Sequence, residues 1–446
     1  MIHNEQIRIK RSELDGTASL LGAVRKAVGG QALRWYVSQA GDDEIVVEAA
    51  LLRGRDLPRP AGRTGPGYYS GKSAVLNVVP TGVGCSLGGY AGDAAPVTNL
   101  LAATADFLIT NPNAVNASNF VGLDSRNIVY TDGCTMDLFS QGLADLHLPY
   151  ANRIGLIVEK TEGWHLDKVY NIVNAVRAIH GVDIAEVLVT DGPIGGRCME
   201  NQSGAFVGTI DHPGVLLEAC EKLVRNGVSA VAITSNIQDL PSENYARHFD
   251  GQYPNPVGGV EAIISYMVTT HFGVPSAHAP MINIKQLDLR DEVVDARGAG
   301  EMASTSGLAC VLIGLHRAPV LNPGKGCRIS EVVNTNNLVA VVMPAGCLGG
   351  IPAICADEQG IPLIAVRDNC TILNVTSGGL GLGNVIEVGS YAEAAGVVMA
   401  LRKGISVESL YRPLQTLRRQ EVAEPYALAA ATAPGDDQPF AELLST

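Results

Sequence analysis

From residue 73 onward the chain repeats one pattern. Short, almost wholly apolar runs (AVLNVV, DFLIT, NIVYT, RIGLIVE, EVLVTD, SAVAITS, IPLIAV and NVIEV) stand apart from longer stretches with helical spacing of apolar residues. That spacing predicts helices over 166–179, 215–225 and 391–401, with further elements around 260–270, 309–315 and 338–343. Strands apolar along their whole length, alternating with helices, are what parallel sheets buried on both faces require. Residues 1–52 read differently: a helix near 18–28, then RWYVSQ and EIVVEAALL as strands. The predicted class is therefore α/β, parallel sheets flanked by helices, with a small N-terminal α+β unit. With 446 residues, several units are expected. They are 1–52, a basic Pro/Gly-rich loop at 53–72, a first α/β domain at 73–255, a second at 256–420, and a weakly ordered tail at 421–446.

Composition narrows the function classes. A net charge of −13 argues against a nucleic-acid surface, which would need a basic face. The uncharged run 338–356 approaches membrane-spanning length. It is broken by Pro344, Gly346, Gly349, Gly350 and Pro352, so a strand, a glycine turn and a helix start are expected, not a span. The polar N-terminal stretch shows no signal-peptide core, and nine cysteines without CxxC pairs suit reduced thiols, which together predict a cytoplasmic protein.

Candidate chemistry gathers at the ends of the strand-like runs. LITNPN, IVYTDG, VLVTDG and AITSN each deliver Thr followed by Asn, Asp or Ser-Asn. In open α/β sheets ligands sit beyond the carboxyl ends of strands, although the same residues also serve as helix caps and turns. The stretch PTGVGCSLGGYAGD follows AVLNVV directly. Thr81, Gly82, Gly84, Gly88 and Gly89 are expected to form a turn whose backbone N–H groups bind an anion. The spelling departs from GxGxxG at Leu87, and SGKS at 70–73 precedes a strand instead of opening a helix. Neither a dinucleotide fingerprint nor a P-loop is present.

An echo of the turn lies in VVMPAGCLGGIP at 341–352, pairing Cys85 with Cys347 as possible two-thiol proton carriers for a racemase or epimerase; small buried apolar thiols are the plainer reading. Asp93, Asp132, Asp191 and His278 are the acid–base candidates. Asn111, Asn113 and Asn369 could orient a substrate, and Arg317 could clamp its anionic group, alone or with the basic loop. No Cys/His spacing suggests zinc. A Mg²⁺ held by Asp and Asn oxygens would leave little trace in sequence.

Taken together, PTGVGCSLGGYAGDAAPV, LITNPNAVNASNF, SGAFVGTIDHP, NPVGGVEAIIS, PSAHAP, LIGLHRAP and MPAGCLGG with IAVRDNCT resemble the DUF3326 family over about residues 73–390. The family pattern often carries His where this chain has Asn111 and Ala where it has Cys85. The resemblance implies an α/β protein and names no reaction. The functional expectation is a cofactor-independent cytoplasmic enzyme acting on a small anionic metabolite, with hydrolysis preferred. A lyase, or an isomerase using Cys85 and Cys347, is the alternative, and a non-catalytic metabolite-binding protein is the rival from another class. A homo-oligomer is the usual expectation for such a protein, with neither nucleic acid nor membrane as partner.

Overall fold

Two parallel sheets carry the architecture, and each is assembled from distant parts of the chain. The computed structural model describes residues 2–14, 19–53, 57, 71–111, 127–161, 163–238, 242–281, 293–304, 306–324 and 327–418. Asn113, most of the basic loop and the tail at 421–446 lie outside them. Met1–Ile405 form one compact unit; from Ser406 a separate unit begins, described as a short 3₁₀ turn at Val407–Leu410 and an extended stretch to residue 418.

The larger sheet has six strands in the order Val385–Val388, Leu363–Val366, Leu338–Pro344, Ala74–Asn77, Phe107–Thr110 and Ile128–Tyr130, all parallel. The second has four: Ser276–Pro280, Ala230–Ser235, Ile154–Val158 and Ile184–Val189, also parallel. Runs such as AVLN, FLIT, AVAITS and LIAV are buried at every position, because helices cover both faces and no side chain meets water. The uncharged run at 338–356 resolves into strand Leu338–Pro344, a glycine turn and helix Ile351–Glu358. No helix among the described residues is long and apolar enough to cross a membrane.

The expected boundary at 255/256 does not separate the sheets. Strands at 338–388 pair beside those at 74–130 in one sheet, and Ser276–Pro280 pairs with Ala230–Ser235 in the other. Hydrophobic periodicity identifies strands but carries no information on which of them are neighbours.

The N-terminal unit contains helix Leu20–Val28 and strands Ala32–Ala40 and Glu44–Leu52 as expected, plus Ile2–Lys10, hidden by its polar composition. The three strands form an antiparallel sheet with Glu44–Leu52 in the centre. Its apolar face joins the larger sheet in one core through Val24, Trp35, Val37, Ile45 and Val47.

Helix Gly258–Phe272 is apolar nearly all round and buried along most of its length. It crosses strand Phe206–Ile210 at glycines. A Cβ on Gly259 would lie 2.4 Å from the Phe206 carbonyl, and one on Gly208 2.3 Å from Val260 Cα. This close approach brings the polar residues of the helix to the ends of both sheets.

Candidate active site

Within the larger sheet, the strand order reverses between Ala74–Asn77 and its parallel neighbour Leu338–Pro344. One leads outward to Phe107–Thr110, the other to Leu363–Val366 on the opposite side. Such a switch point opens a crevice beyond the carboxyl ends of the two strands. The two echoing glycine turns are the segments that leave these strands, so they stand side by side. A cavity of about 1080 Å³ opens there, lined by Pro80, Thr81, Gly82, Met343, Cys347 and Gly349. The carboxyl ends of the smaller sheet reach the same cavity through Thr234 and His278, and the N-terminal sheet reaches it through Arg34 and Tyr36.

The later part of the first glycine turn, from Ser86 to Ala91, spends several of its amides within the protein. Gly88 has φ +95°, and a Cβ there would lie 2.0 Å from Val79 Cγ1. Its N–H donates to Asp93 Oδ2 at 2.7 Å, and the Tyr90 N–H donates to Asp93 Oδ1 at 3.3 Å. Leu87 N–H goes to Asn369 Oδ1, Ser86 N–H to the Cys370 carbonyl, and Ala91 N–H to Glu301 Oε2. Acceptors of the protein therefore satisfy these five amides, and Gly88 is the one among them that was expected to bind an anion. Burial pushes the Asp93 carboxyl up to about 7, against the two amide bonds that favour its charge. Asn369 is equally structural: its Nδ2 donates to Leu87 O and Tyr391 Oη, both at 2.9 Å.

Other predicted residues separate clearly. Thr81, Gly82, Gly88, Gly89, Asn111, Asp132, His278 and Cys347 line the cavity. Gly84 packs against Pro254 and Ile372 instead. Asn111 Oδ1 accepts from Val79 N–H at 2.8 Å, tying two strand ends together. Asp191 and Arg317 are exposed and absent from the lining. Cys85 is buried, its Sγ bonded to the Pro80 carbonyl at 3.2 Å, and it is near enough to Cys347 for their charges to interact. Burial raises both thiols, Cys85 well above the usual range and Cys347 to about 12. Burial thus favours the protonated form of both thiols, as for small buried apolar residues.

The polar groups concentrated around helix Gly258–Phe272 were largely unseen in sequence. Glu261 Oε1 lies 3.3 Å from His278 Nδ1, and His278 Nε2 lies 2.8 Å from Ser235 Oγ. The His278 side chain is fully buried, while Glu261 keeps 17% exposure toward the cavity it lines. Burial raises the Glu261 carboxyl, opposed by the bond and charge from His278.

Asp132 caps helix Gly133–Ser140 by accepting from Thr135 N–H at 3.0 Å and Thr135 Oγ1–H at 2.7 Å, and burial holds it near 6. One turn later Asp137 accepts from the Tyr266 hydroxyl. Burial pushes Asp137 to about 7, against that bond and the nearby Arg34 charge. Glu301 accepts from Tyr245 Oη–H at 3.1 Å. The signal available for Glu261 was a single acid in the otherwise apolar GGVEAIISYMV, and for Arg34 a lone cation in the strand ALRWYV. Among the described residues no three His, Cys, Asp or Glu side chains converge as metal ligands.

A family model described as protein of unknown function (DUF3326) matches residues 73–411. An uncharacterized lipoprotein of Synechococcus sp. is 32% identical over 335 residues, which span 75% of this chain and 92% of that protein.

Proposed function

The chain belongs to the DUF3326 family, and from its cavity we propose an enzyme of small-molecule metabolism that uses Glu261 and His278 to transfer protons, with hydrolysis as the reaction. The observation that carries this is the hydrogen-bonded line Ser235–His278–Glu261 at the cavity wall. A solvated surface Glu is a poor base. One raised by burial and backed by an imidazole holds a proton more firmly, which suits it to take one from water. Glu261 accepts that proton, the hydroxide attacks the bound substrate, and the pair returns the proton to the leaving group. Ser235 acts as a positioning residue, since its hydroxyl is buried and meets the ring, not the cavity. The nine cysteines are all free, which supports a reducing, cytoplasmic setting, to be checked by cell fractionation.

The test is untargeted mass spectrometry of a mixed metabolite extract incubated with the purified protein, with Glu261→Gln and with His278→Asn. The expected result is one substrate converted to products that together carry the mass of one added water. Conversion should fall by roughly 10²–10⁴ in both variants. Full conversion by both variants would overturn the assignment, and saturable retention of a metabolite without conversion would favour the binding-protein reading.

A further inference from the structure

We propose that Arg34, from the N-terminal sheet, holds a carboxylate group of the substrate in this cavity, so that residues outside the family-matched segment complete the site. The inference rests on the enzymatic reading above for the ligand being a substrate. Its physical basis is independent of which groups move protons.

Strand Ala32–Ala40 is an edge strand of its sheet, and its residues alternate: Leu33, Trp35 and Val37 are buried while Arg34 and Tyr36 are partly open. It is tied directly to the glycine turn that leaves strand Leu338–Pro344, because Val37 N–H donates to the Gly349 carbonyl at 2.9 Å. A Cβ on Gly349 would come within 2.2 Å of Val37 O, so the glycine there is what allows the strand so close. This contact sets Arg34, Tyr36 and Val37 on the cavity wall beside Cys347 and Gly349.

The Arg34 guanidinium lies 5.5 Å from the Tyr36 ring centroid and 6.0 Å from that of Tyr266. Among the described residues it makes no hydrogen bond and no ion pair. A guanidinium carries five N–H donors in a rigid fork, and a partly buried one normally spends them on a partner. Asp137 is the nearby acid whose charge it feels, but Asp137 accepts from Tyr266 and forms no ion pair with Arg34. Five unspent donors, close to two aromatic rings at a cavity wall, present the fork that a planar carboxylate meets with two parallel bonds.

The surrounding charge favours a singly charged, planar anion over phosphate. Apart from histidines, Arg34 and the rim residue Lys168 are the cations among the described lining, against Asp132, Asp137, Glu261 and Glu301. A phosphate dianion beside these acids would meet more repulsion than a carboxylate. The exposed Arg317 and the loop at 53–72, expected from sequence to supply this charge, are not needed for it.

The chain's two tryptophans, Trp35 and Trp164, both line the cavity, so their fluorescence reports on it. The experiment titrates the full-length Trp164→Phe protein, leaving Trp35 next to Arg34 as the reporter. The probes are propionate, its neutral counterpart propionamide, and inorganic phosphate. Saturable quenching by propionate, at least tenfold weaker binding of propionamide and of phosphate, and at least a tenfold loss of propionate affinity in Arg34→Gln are expected. Arg34→Lys, which keeps the charge and loses the fork, should give an intermediate loss, and it carries the test if Arg34→Gln does not fold.

Equal propionate binding by wild type and the folded Arg34 variants would overturn the proposal, as would absence of saturable binding. Arg34-dependent binding in which phosphate equals or exceeds propionate would overturn the carboxylate assignment. His278→Asn separates this inference from the catalytic one: propionate binding should persist in that variant. A protein that binds propionate through Arg34 yet keeps full turnover in His278→Asn sinks only the proton-transfer reading. One that loses turnover with His278→Asn and binds propionate without Arg34 sinks only this one.

Discussion

Asp137 is a carboxylate that the fold holds in the wrong medium for its charge, and replacing it with Asn should make stability less sensitive to pH. Its carboxyl rises from an ordinary 3.8 to about 7 because burial penalises the ion, and the Tyr266 hydroxyl and Arg34 recover only part of that. For an acid whose folded value is raised, the folded state binds the proton more tightly than the unfolded chain does. Stability is therefore full below about pH 4, is lost as pH rises toward 7, and changes no further above that. At roughly 1.4 kcal/mol per pH unit the whole span amounts to ~4 kcal/mol, and water in the cavity screens part of it.

Asn keeps an oxygen to accept from Tyr266 and cannot ionise. The stability difference between Asp137→Asn and wild type should therefore grow by about 2–3 kcal/mol in favour of the variant between pH 5 and pH 8. An unfolding entropy near 2 cal/mol/K per residue gives the unit Met1–Ile405 roughly 0.8 kcal/mol/K, so the Tm difference should widen by ~3 °C. Differential scanning calorimetry of both proteins from pH 5 to 8 reads this directly. A Tm difference that stays constant with pH, or moves toward wild type as pH rises, refutes the argument that burial governs this group.

Three further outcomes follow from the same structure. Gly259→Ala should cost more than ~3 kcal/mol or prevent folding, since its methyl would meet backbone at 2.4 Å, whereas Gly30→Ala, with open space around it, should leave the denaturation midpoint nearly unchanged. Asn369→Ala removes the side-chain clamp on Leu87 and should lower stability by about 1–3 kcal/mol in urea denaturation. The double variant Cys85→Ala/Cys347→Ala should keep the turnover detected in the extract assay within a few-fold, because both thiols are held protonated; loss of that turnover would restore the two-thiol mechanism.

Much of the secondary structure follows from the chain's local pattern. AVLN, FLIT, IVY, AVAITS and LIAV are strands because a fully apolar run of that length is satisfied only when both faces are covered. The helices Trp164–His180, Pro213–Arg225 and Tyr391–Arg402 follow from their spacing and from caps such as Ser390. Thr and Asx at strand ends were visible too, and Asn111, Asp132 and Thr234 do reach the cavity. Local pattern contains no term for which strand lies beside which. Only the assembled sheet set the two glycine turns next to each other, gave the Gly88 amide to Asp93, and left Asp191 and Arg317 off the cavity wall. Glu261 and His278 are 17 positions apart along the chain and His278 and Ser235 are 43 apart; the latter two meet because their strands pair in the smaller sheet, and Glu261 joins them from the helix packed beside it. Arg34 reaches the same cavity from another sheet altogether, through a backbone contact at Gly349 that no periodicity encodes. Burial then decided which of these groups hold their protons, and burial is a property of the packed chain, not of any residue in it.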